Sequence, residues 1–523
     1  MYSEAYGVAV FGLSAYIVRV ETDMGPGLPC FEMSGLLTSE VREAKERIRV
    51  AIKNSGFDVR PKRVVINFSP ANIKKTGTGL DLSAALGVLS CFGYVDKNSL
   101  SKTCFLGELS LDGSLRPVSG ALVSGIEALN KGFKRMFVPI ENLAECRSLA
   151  GGLELVGAER LRDIVNYLAE YDGSHGGRAE TCAGKGLTWI EDLTDETEKI
   201  SEYKCDFDDI AGQAAAKKAA MIAAAGMHNL LLIGPPGSGK SMIAKRLPSI
   251  MPEMSEKERF ELTMIYSIAG MIESGEGLLR ERPFRSPGQG ISQAAMLGGG
   301  IIPRPGEVSL ASKGVLFLDE LTQYKTDVIE SLRQPLEDNK VMVSRMQYSL
   351  EFPADFMLVA AMNPCKCGYY PDRNRCFCSE LDIERYIGKI SKPVLDRFDM
   401  CVRTEELAFD EIMQVRKQSV HSAEQSSSAY MKERVVLAMN MQRRRFADEE
   451  YSYNSEIPAG DMEKYCGLGQ EETDFAYKIF QEFSLTARGT HKLLKLSRTI
   501  ADLDESDEIR IDHLATASIF KSL

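Results

Sequence analysis

Hydrophobic residues in the first third of the chain alternate between short β-like runs and helical stretches. The apolar runs VVINFS, CFLGELSL and RMFVPI predict strands, and residues 81–94 and 121–131 carry the apolar pattern of helices. Strands that alternate with helices in this way are typical of an α/β or α+β domain. We therefore predict one such domain over residues 1–171.

The pattern changes three times after this domain. Residues 172–205 are polar and Gly-rich with no apolar period, which predicts a linker. Residues 206–405 contain the apolar runs NLLLIG, VLFLDE and MLVAAMNP between helical segments, which predicts a second α/β unit. Residues 406–523 are rich in helical pattern, with polar breaks at residues 421–428 and 454–458. At roughly 150 residues per domain, the chain length suggests about three folded units.

The composition is that of a globular protein. Hydrophobic residues make up 44% and charged residues 26% of the 523 positions, which excludes disordered and fibrous classes. The net charge of −11 argues against coating nucleic acid through bulk positive charge, so any such contact must be local, in a basic pore or groove. We find no apolar run of about 18 residues and no signal-peptide pattern, and we expect a cytoplasmic protein with no membrane partner.

A phosphate-binding loop is predicted where the run NLLLIG leads into GPPGSGKS and then into a helix. The segment fits G-x-x-x-x-G-K-[ST] in the strand, loop and helix context that the motif requires, which disfavours an incidental Gly/Pro turn. Glycines let backbone N–H groups approach phosphates, the lysine adds a point charge, and the serine hydroxyl can ligate Mg²⁺. The predicted nucleotide-binding residues are Gly234, Pro235, Pro236, Gly237, Ser238, Gly239, Lys240 and Ser241.

Two further runs bring polar residues to strand ends. The run VLFLDE ends in Asp319 and Glu320: we expect Asp319, with Ser241, to hold Mg²⁺ and Glu320 to polarise the attacking water. In isolation such a run is more often a buried strand with solvated acids at its tip, but its position after a P-loop favours the functional interpretation. The run MLVAAMNP ends at Asn363, whose amide can orient water beside the γ-phosphate.

These motifs resemble those of the AAA+ ATPases, and more closely the magnesium-chelatase-like branch of the ComM/YifB type. The matching stretches include RPFRSP, GVLFLDEL, LVAAMNPCKCG, PVLDRFD and LTARGTHKLLKLSRTIADL, in the family's order over most of residues 206–505. The resemblance implies that Asn363 is sensor 1, Arg397 is an arginine finger for the neighbouring subunit's ATP, and Arg488 is the sensor 2 arginine. Because a trans arginine is worth about 10³ to 10⁵ in rate, we expect a monomer to be nearly inactive.

The N-terminal stretches FSPANIKKTGTGLDLSAALGVL and GELSLDGSLRPVSGALVSGIEALNKGFKRMFVP are similar to the proteolytic domain of Lon. Aligned by eye, the nucleophilic serine position falls at Gly79 and the lysine base position at Leu122, and neither residue can do this chemistry. Thr78 and Ser83 are nearby hydroxyls without a positioned base. We therefore expect this domain to bind or gate rather than to cleave.

Together, the resemblances imply a multidomain α/β fold. Its parts are a Lon-protease-like (ribosomal-S5-like) α/β domain at residues 1–171, a linker at 172–205, an AAA+ P-loop core with a parallel sheet at 206–405, and a C-terminal helical lid at 406–523.

Two insertions typical of this branch are also predicted, at residues 283–305 and, as a hairpin, at residues 339–352. In related ring motors such elements line the central pore, so Lys340 and Arg345 are candidates for contacting a nucleic-acid backbone, although each fits a solvated hairpin equally well. After RPFRSP, relatives usually carry a pair of histidines. Here residues 288–290 are Gly-Gln-Gly, which puts a pore contact of this segment in doubt.

Four of the 12 cysteines form two C-x-C pairs shortly after Asn363. Zinc sites usually have C-x₂₋₄-C spacing, so these pairs are tight for a metal site. A structural zinc and four reduced thiols in a surface loop both remain open from the residues alone. The candidate ligands are Cys365, Cys367, Cys376 and Cys378.

The leading hypothesis is a ring-forming, Mg²⁺-ATP-driven motor that acts on single-stranded or branched DNA. The family resemblance implies a homo-hexamer and branch migration of recombination intermediates, including strand uptake in natural transformation. Arg443, Arg444 and Arg445 could attract DNA locally, although such a run is more often a solvated helix face. The rivals are a chelatase-type motor that remodels a protein partner, an unfoldase that feeds a protease, and a non-catalytic scaffold, which Lys240 and the two strand-end acids disfavour.

Overall fold

The computed structural model confirms a multidomain α/β architecture. It describes residues 1–170, 186–193, 205–300, 303–345, 348–406 and 427–520. Most of the predicted linker and most of the polar break at residues 421–428 lie outside these ranges. Within them, no helix combines the length and apolar character that crossing a bilayer requires.

The N-terminal unit is built on a mixed sheet of eight strands. Its two longest strands form an antiparallel hairpin in which Tyr2 pairs with Asp23 and Phe11 with Ser14. The strands are β1 (Tyr2–Phe11), β2 (Ser14–Gly25), β3 (Cys30–Ser34), β4 (Arg63–Ser69), β5 (Thr103–Phe105), β8 (Arg135–Pro139), β9 (Glu154–Ala158) and β10 (Leu187–Trp189), with a separate two-stranded ribbon of β6 (Glu108–Leu109) and β7 (Leu115–Arg116).

Helices cover this sheet and bury its apolar side chains. The helix at residues 81–91 is buried along its whole length, which explains its continuous apolar pattern. The sheet order is β10-β9-β8-β5-β1-β2-β4-β3. The helices are α1 (Ser39–Asn54), α2 (Asp81–Cys91), α3 (Lys97–Leu100), α4 (Ala121–Asn130), α5 (Ile140–Leu143) and α6 (Leu161–Glu170).

Two features of this unit differ from the sequence prediction. The β1–β2 hairpin and α1 precede the first predicted strand. The domain therefore contains more strands and helices than the sequence pattern predicted. Strand β10 lies within the range predicted as linker, where it pairs antiparallel with β9. Trp189 on this strand is buried, and Phe137 and Trp189 both pack edge-on against Tyr167. A three-residue strand has too few positions to show an apolar period, and its partner strand alone identifies it.

The second unit is a parallel sheet of five strands, in the order β12-β15-β18-β11-β19: β11 (Leu230–Ile233), β12 (Phe284–Arg285), β15 (Val315–Leu318), β18 (Met357–Met362) and β19 (Met400–Arg403). Side chains alternate between two cores, because successive residues of a strand face opposite ways. Leu230 and Leu232 join one core and Leu231 and Ile233 the other. Burial on both faces explains why these strands are continuously apolar.

The helices of this unit and two small β-ribbons surround the sheet. The predicted hairpin at residues 339–352 is confirmed as β16 (Lys340–Arg345) paired with β17 (Tyr348–Pro353). The other ribbon pairs β13 (Gly298–Gly299) with β14 (Arg304–Pro305). The helices are α7 (Ala214–Gly226), α8 (Lys240–Ile250), α9 (Glu256–Ala269), α10 (Gln293–Leu297), α11 (Glu307–Leu310), α12 (Thr326–Ser331), α13 (Pro335–Asp338), α14 (Glu380–Ile387) and α15 (Lys392–Leu395).

The C-terminal unit is helical, as predicted, and it shares a core with one face of the parallel sheet. Val435, Leu493 and Ile500 are buried in the same cluster as Ala223 of α7 and Leu230. The helices are α16 (Ser428–Arg445), α17 (Met462–Cys466), α18 (Gln470–Glu482), α19 (Ala487–Leu503) and α20 (Ile511–Ile519). The predicted lid is therefore packed on the side of the sheet that α7 covers.

Candidate nucleotide site

The segment GPPGSGKS joins β11 to α8, as predicted, and its glycines are needed for its shape. Gly237 and Gly239 have φ angles of 79° and 82°, a left-handed conformation that favours glycine. At Gly234 a Cβ atom would lie 2.0 Å from Thr404 Oγ1, so any side chain would clash. The loop therefore requires glycine at these three positions, which gives its backbone the close approach that phosphate binding needs.

Lys240 begins α8 and is buried at the centre of the loop. Its ammonium group donates to the carbonyl oxygens of Gly234 (2.8 Å) and Pro235 (2.7 Å). It also donates to Oδ1 of Asn363, 3.3 Å away. Burial lowers the pKa of Lys240, and Asp319 and Glu320 oppose that shift. The ammonium group of Lys240 is thus stabilised by the carbonyl oxygens of the loop and by the polar residues at the neighbouring strand ends.

The hydroxyl and carboxylate predicted for Mg²⁺ lie side by side. Ser241 Oγ donates to Oδ2 of Asp319 at 2.7 Å, although 78 positions separate the two residues. The contact forms because β11 and β15 are both parallel to β18, which lies between them, so their carboxyl ends reach the same edge of the sheet. Hydroxyl and carboxylate oxygens are donors that suit Mg²⁺, and the pair fits that ion.

Glu320 lies at the same edge in a strained backbone conformation. Its φ angle is 52°, which is unusual for a residue with a side chain, and such strain is often found at functional sites. Its carboxylate accepts a hydrogen bond from Nε2 of Gln289 at 2.7 Å. The sequence pattern singled out residues 288–290 only as a departure from the family, and it did not connect Gln289 with Glu320.

Two further residues that the motifs missed brace the phosphate-binding loop. The hydroxyls of Ser238 and Thr404 lie 2.7 Å apart, and Nε2 of Gln213 donates to the carbonyl oxygen of Ser238 at 3.2 Å. Gln213 also donates to the carbonyl of Glu405 at 2.6 Å. These residues precede α7 and follow β19, so only the spatial order of the strands could have identified them.

The two predicted arginines lie together, but at the opposite edge of the sheet. Arg397 is only 7% exposed and donates to Oε2 of Glu337 at 2.6 Å, and its backbone carbonyl accepts from Asn229 at 3.1 Å. Arg488 is 42% exposed, with Nη1 3.9 Å from the other oxygen of Glu337. Asn229 precedes β11, whose other end carries Gly234, so about 15 Å of strand separates this site from the P-loop.

A cavity of about 540 Å³ opens beside this arginine pair. Asp399 lies on its wall, with Oδ1 3.3 Å from the ammonium group of Lys492 on α19 and Oδ2 3.7 Å from Nδ1 of His228. Burial alone would raise the pKa of Asp399, but Lys492 and His228 hold it well below its usual range. The contact joins the lid helix to the start of β11.

Three other predicted candidates have different surroundings. Lys340 on β16 is exposed and lies 3.3 Å from Glu351 across the hairpin, whereas the side chain of Arg345 is outside the described part of the structure. Arg443 and Arg444 are exposed, but Arg445 forms an ion pair with the buried Asp502. The arginine run is therefore not a uniform basic patch, because one of its members holds α16 to α19.

The Lon-like positions in the N-terminal unit are tightly packed. A Cβ atom on Gly79 would lie 2.9 Å from Leu106, and Leu122 is fully buried. Ser83 donates to the carbonyl of Leu80 at 2.9 Å, which leaves it a structural role. The Thr78 hydroxyl, however, bonds to the carboxylate of Glu108, a partner that the sequence reading did not include.

Family models match all three units. They are described as subunit ChlI of Mg-chelatase over residues 20–142, magnesium chelatase subunit ChlI over residues 206–412, and magnesium chelatase subunit ChlI C-terminal over residues 425–521. With the parallel sheet and the residues at its carboxyl edge, these matches define the class as a magnesium-chelatase-like AAA+ protein, for which ATP and Mg²⁺ are the implied cofactors.

Curated relatives narrow this class. The chain is 35% identical over 527 residues to the competence protein ComM of Haemophilus influenzae, covering 99% of this chain and 97% of that protein. It is 36% identical over 516 residues to the uncharacterized protein YifB of Escherichia coli, covering 98% and 96%. A magnesium-chelatase 67 kDa subunit of Chlorobaculum parvum is 28% identical over 30% of this chain and 23% of its own length. The chain belongs to the ComM/YifB family.

Proposed function

We propose that this protein is a ring-forming, Mg²⁺-ATP-driven motor that acts on DNA, as a branch-migration helicase in recombination or natural transformation. Lys240 and the loop glycines bind the phosphates, Ser241 and Asp319 hold Mg²⁺, and Glu320 activates the attacking water. Asn363 orients that water beside the γ-phosphate. When bound, Mg²⁺ neutralises charge that develops on the phosphates.

The observation that carries this proposal is the separation of the arginines from the P-loop. Arg397 and Arg488 lie at the amino end of β11, whereas the nucleotide residues lie at its carboxyl end. A side chain of arginine cannot span about 15 Å of strand. This separation supports the proposal that Arg397 serves the nucleotide of another copy of the chain in a homo-oligomer.

The state of Arg397 supports this assignment. Its Nε atom is buried and has no hydrogen-bond partner among the described residues, and leaving such a donor unpaired costs about 1–3 kcal/mol. Glu337, which is exposed, partners its Nη2 atom. A guanidinium group suits the recognition of a phosphate, and the carboxylate of Glu337 holds this one in place.

The extent of similarity to two kinds of relative favours DNA over a protein as the substrate. The relative named as a competence protein matches nearly the whole chain, whereas the magnesium-chelatase subunit matches 30% of it. A chelatase-type or unfoldase motor that remodels a protein remains the second candidate. The exposed Lys340 hairpin suits either substrate, because it projects a cation from a strand whose Val341 and Val343 are anchored in the core.

The N-terminal domain acts, in this proposal, by binding or gating rather than by proteolysis. Gly79 and Leu122 provide neither nucleophile nor base. Because Thr78 does have a carboxylate partner, casein degradation should be measured for the wild type and for Thr78→Ala. No cleavage by either is expected, and cleavage that Thr78→Ala abolishes would overturn this assignment.

The function is tested by ATP hydrolysis and strand exchange with purified full-length protein. We expect single-stranded or four-way-junction DNA to stimulate hydrolysis. We also expect a fluorophore-labelled junction to be separated into its duplex products only when ATP and Mg²⁺ are present. Lys240→Ala should abolish both, whereas Lys245→Ala, an exposed lysine of the same helix, should not. Hydrolysis that no DNA stimulates, but that a protein partner does, would favour the second candidate.

A further inference from the structure

The four clustered cysteines occupy the segment between β18 and α14, next to the nucleotide residues. All four sulfur atoms lie within 4.8 Å of one another. The Sγ of Cys365 is 3.3 Å from that of Cys367 and 3.7 Å from that of Cys376, and Cys367 and Cys376 are 3.5 Å apart. Cys378 completes the group. The tight C-x-C spacing thus does not prevent the four thiols from converging.

These separations distinguish between the states open to four thiols. A disulfide would bring two sulfurs to about 2.0 Å, far closer than any of the measured pairs. Four thiolates around Zn²⁺ at about 2.3 Å form a tetrahedron whose sulfur-to-sulfur edges are about 3.8 Å. The measured distances of 3.3 to 3.7 Å are close to those edges. Three of the six sulfur pairs therefore have about the spacing of a tetrahedral thiolate site, and Cys378 lies within 4.8 Å of the other three sulfurs.

The chain around the cysteines supports such a site. Gly368, with a φ angle of 91°, allows the chain to turn directly after the first pair. The backbone N–H of Cys376 donates to the carbonyl of Asp372 at 2.8 Å, which closes the turn before the second pair. Ile383 and the rings of Tyr369 and Tyr370 pack against the sulfurs. Shielding of this kind limits the access of water to the thiolates.

The local charge also suits the metal. Zn²⁺ with four thiolates carries a net charge of about −2. Lys366, Arg373 and Arg375 lie in the same short segment, and Arg373 donates to the carbonyl of Cys378 at 3.0 Å. Arg373 therefore brings a cation to the cluster, whereas Arg375 is paired with Glu406.

The cluster is in direct contact with the phosphate-binding loop. A Cβ atom on Gly368 would lie 2.7 Å from Cδ of Pro236 and 3.9 Å from Cγ of Asn363, so this turn packs against both. Cys365 follows Asn363 by two residues. Anything that holds the four sulfurs in place therefore also holds Asn363 and one wall of the loop.

We propose that Cys365, Cys367, Cys376 and Cys378 bind one Zn²⁺ per chain, and that the bound zinc fixes Asn363 and Pro236 in the geometry needed for hydrolysis. The metal site stands on the sulfur geometry alone, whereas its effect on hydrolysis rests on the proposed function. Zinc is structural here: its four ligand positions are filled by thiolates, so it has no open position for a substrate.

The metal site is tested by elemental analysis of the purified full-length protein under reducing conditions. We expect one zinc per chain in the wild type and in Cys205→Ser, whose exposed thiol lies outside the cluster, and a loss of zinc in Cys376→Ser. Reconstitution of the chelated wild type with Co²⁺ should produce the thiolate charge-transfer bands of a tetrahedral site. A wild type that folds fully without zinc, with the same melting temperature after zinc is added, would overturn the site.

The effect on hydrolysis is tested on the wild type, so that it does not depend on a variant that might misfold. Removal of zinc with a chelator should lower kcat for ATP at least about tenfold, as for a lost positioning interaction, and zinc should restore it. Binding of a fluorescent nucleotide should change much less. An unchanged kcat would contradict the coupling. If the protein holds zinc but hydrolyses no ATP under any condition, the proposed function fails and the metal site stands.

Discussion

The two edges of the parallel sheet are organised in opposite ways. At the carboxyl edge, Lys240 donates to the carbonyl oxygen of Gly234, and Ser241 donates to Asp319, all within one chain. At the amino edge, Arg397 is buried, its Nε atom has no partner in the described part of the chain, and Arg488 is half-exposed. One edge has the residues proposed to bind a nucleotide, and the other has two arginines that share the carboxylate of Glu337. Under the proposed function, the two edges are the two halves of a site that forms between neighbouring copies of the chain.

The largest effect should come from removing the cation of the second half-site. We expect Arg397→Ala to lower the hydrolysis rate at least about 10³-fold, because the charge on the transferred phosphoryl group is no longer neutralised. Mixing Arg397→Ala with Lys240→Ala should restore activity, since one interface then combines an intact loop with an intact arginine. Arg443→Ala, which removes an exposed arginine of α16, is the control. No recovery at any ratio would contradict a shared site.

At the carboxyl edge, Glu320→Gln should separate binding from chemistry. Loss of the group that polarises water should lower kcat about 10² to 10⁴-fold, while a fluorescent ATP analogue still binds, because the loop and Ser241 are unchanged. Glu384→Gln, on the exposed face of α14, is the matched control. A Glu320→Gln protein with near-normal turnover would assign the role to another residue.

The ion pair that connects the lid to the amino edge should contribute to the stability of the folded protein. Asp399→Asn removes the charge that pairs with Lys492 and should lower the free energy of unfolding by about 3 kcal/mol, measured by urea denaturation. Lys492 then keeps the carbonyl oxygens of Asp396 and Phe398 as partners. In the wild type the folded-state pKa of Asp399 is below its unfolded value of about 4. The contribution of Asp399 to the free energy of unfolding is therefore complete above about pH 4 and is lost as the pH falls below that value.

This pH dependence has its own control. Asp448→Asn, on the exposed surface of the lid, should leave both the stability and its decline below pH about 4 unchanged. Asp399→Asn should flatten that part of the decline. A variant as stable as the wild type, with the same acid profile, would show that the contact does not hold the lid in place.

The smallest effect is expected at Gln289. Its amide occupies one oxygen of Glu320, and a hydrogen bond to an ionised group competes with the water that this carboxylate would activate. Gln289→Ala should therefore raise the basal hydrolysis rate a few-fold, of the order that one exposed hydrogen bond provides. Gln293→Ala, an exposed glutamine on α10, should not. A lower rate in Gln289→Ala would mean that the amide positions Glu320 instead.

Much of the carboxyl edge could be predicted because its determinants are local. The loop glycines, Lys240 and Ser241 are consecutive, and their conformations follow from short-range rules on strand ends and helix starts. Asp319 and Asn363 follow strands apolar enough to recognise. Gln289, Gln213 and Thr404 could not be predicted, because nothing in their neighbours along the chain indicates what they touch.

The sequence by itself determined the multidomain α/β class, the family and the strand–loop–helix context of residues 234–241, since these depend on contiguous patterns. Only the tertiary structure decided that β10 joins the N-terminal sheet, that Arg397 and Arg488 share Glu337, and that the arginines lie at the edge opposite the P-loop. Such contacts depend on how strands distant in the sequence are ordered in a sheet. Residues that precede a strand and residues that follow it are held apart by the length of the strand, which is why the arginines and the P-loop lie at opposite edges.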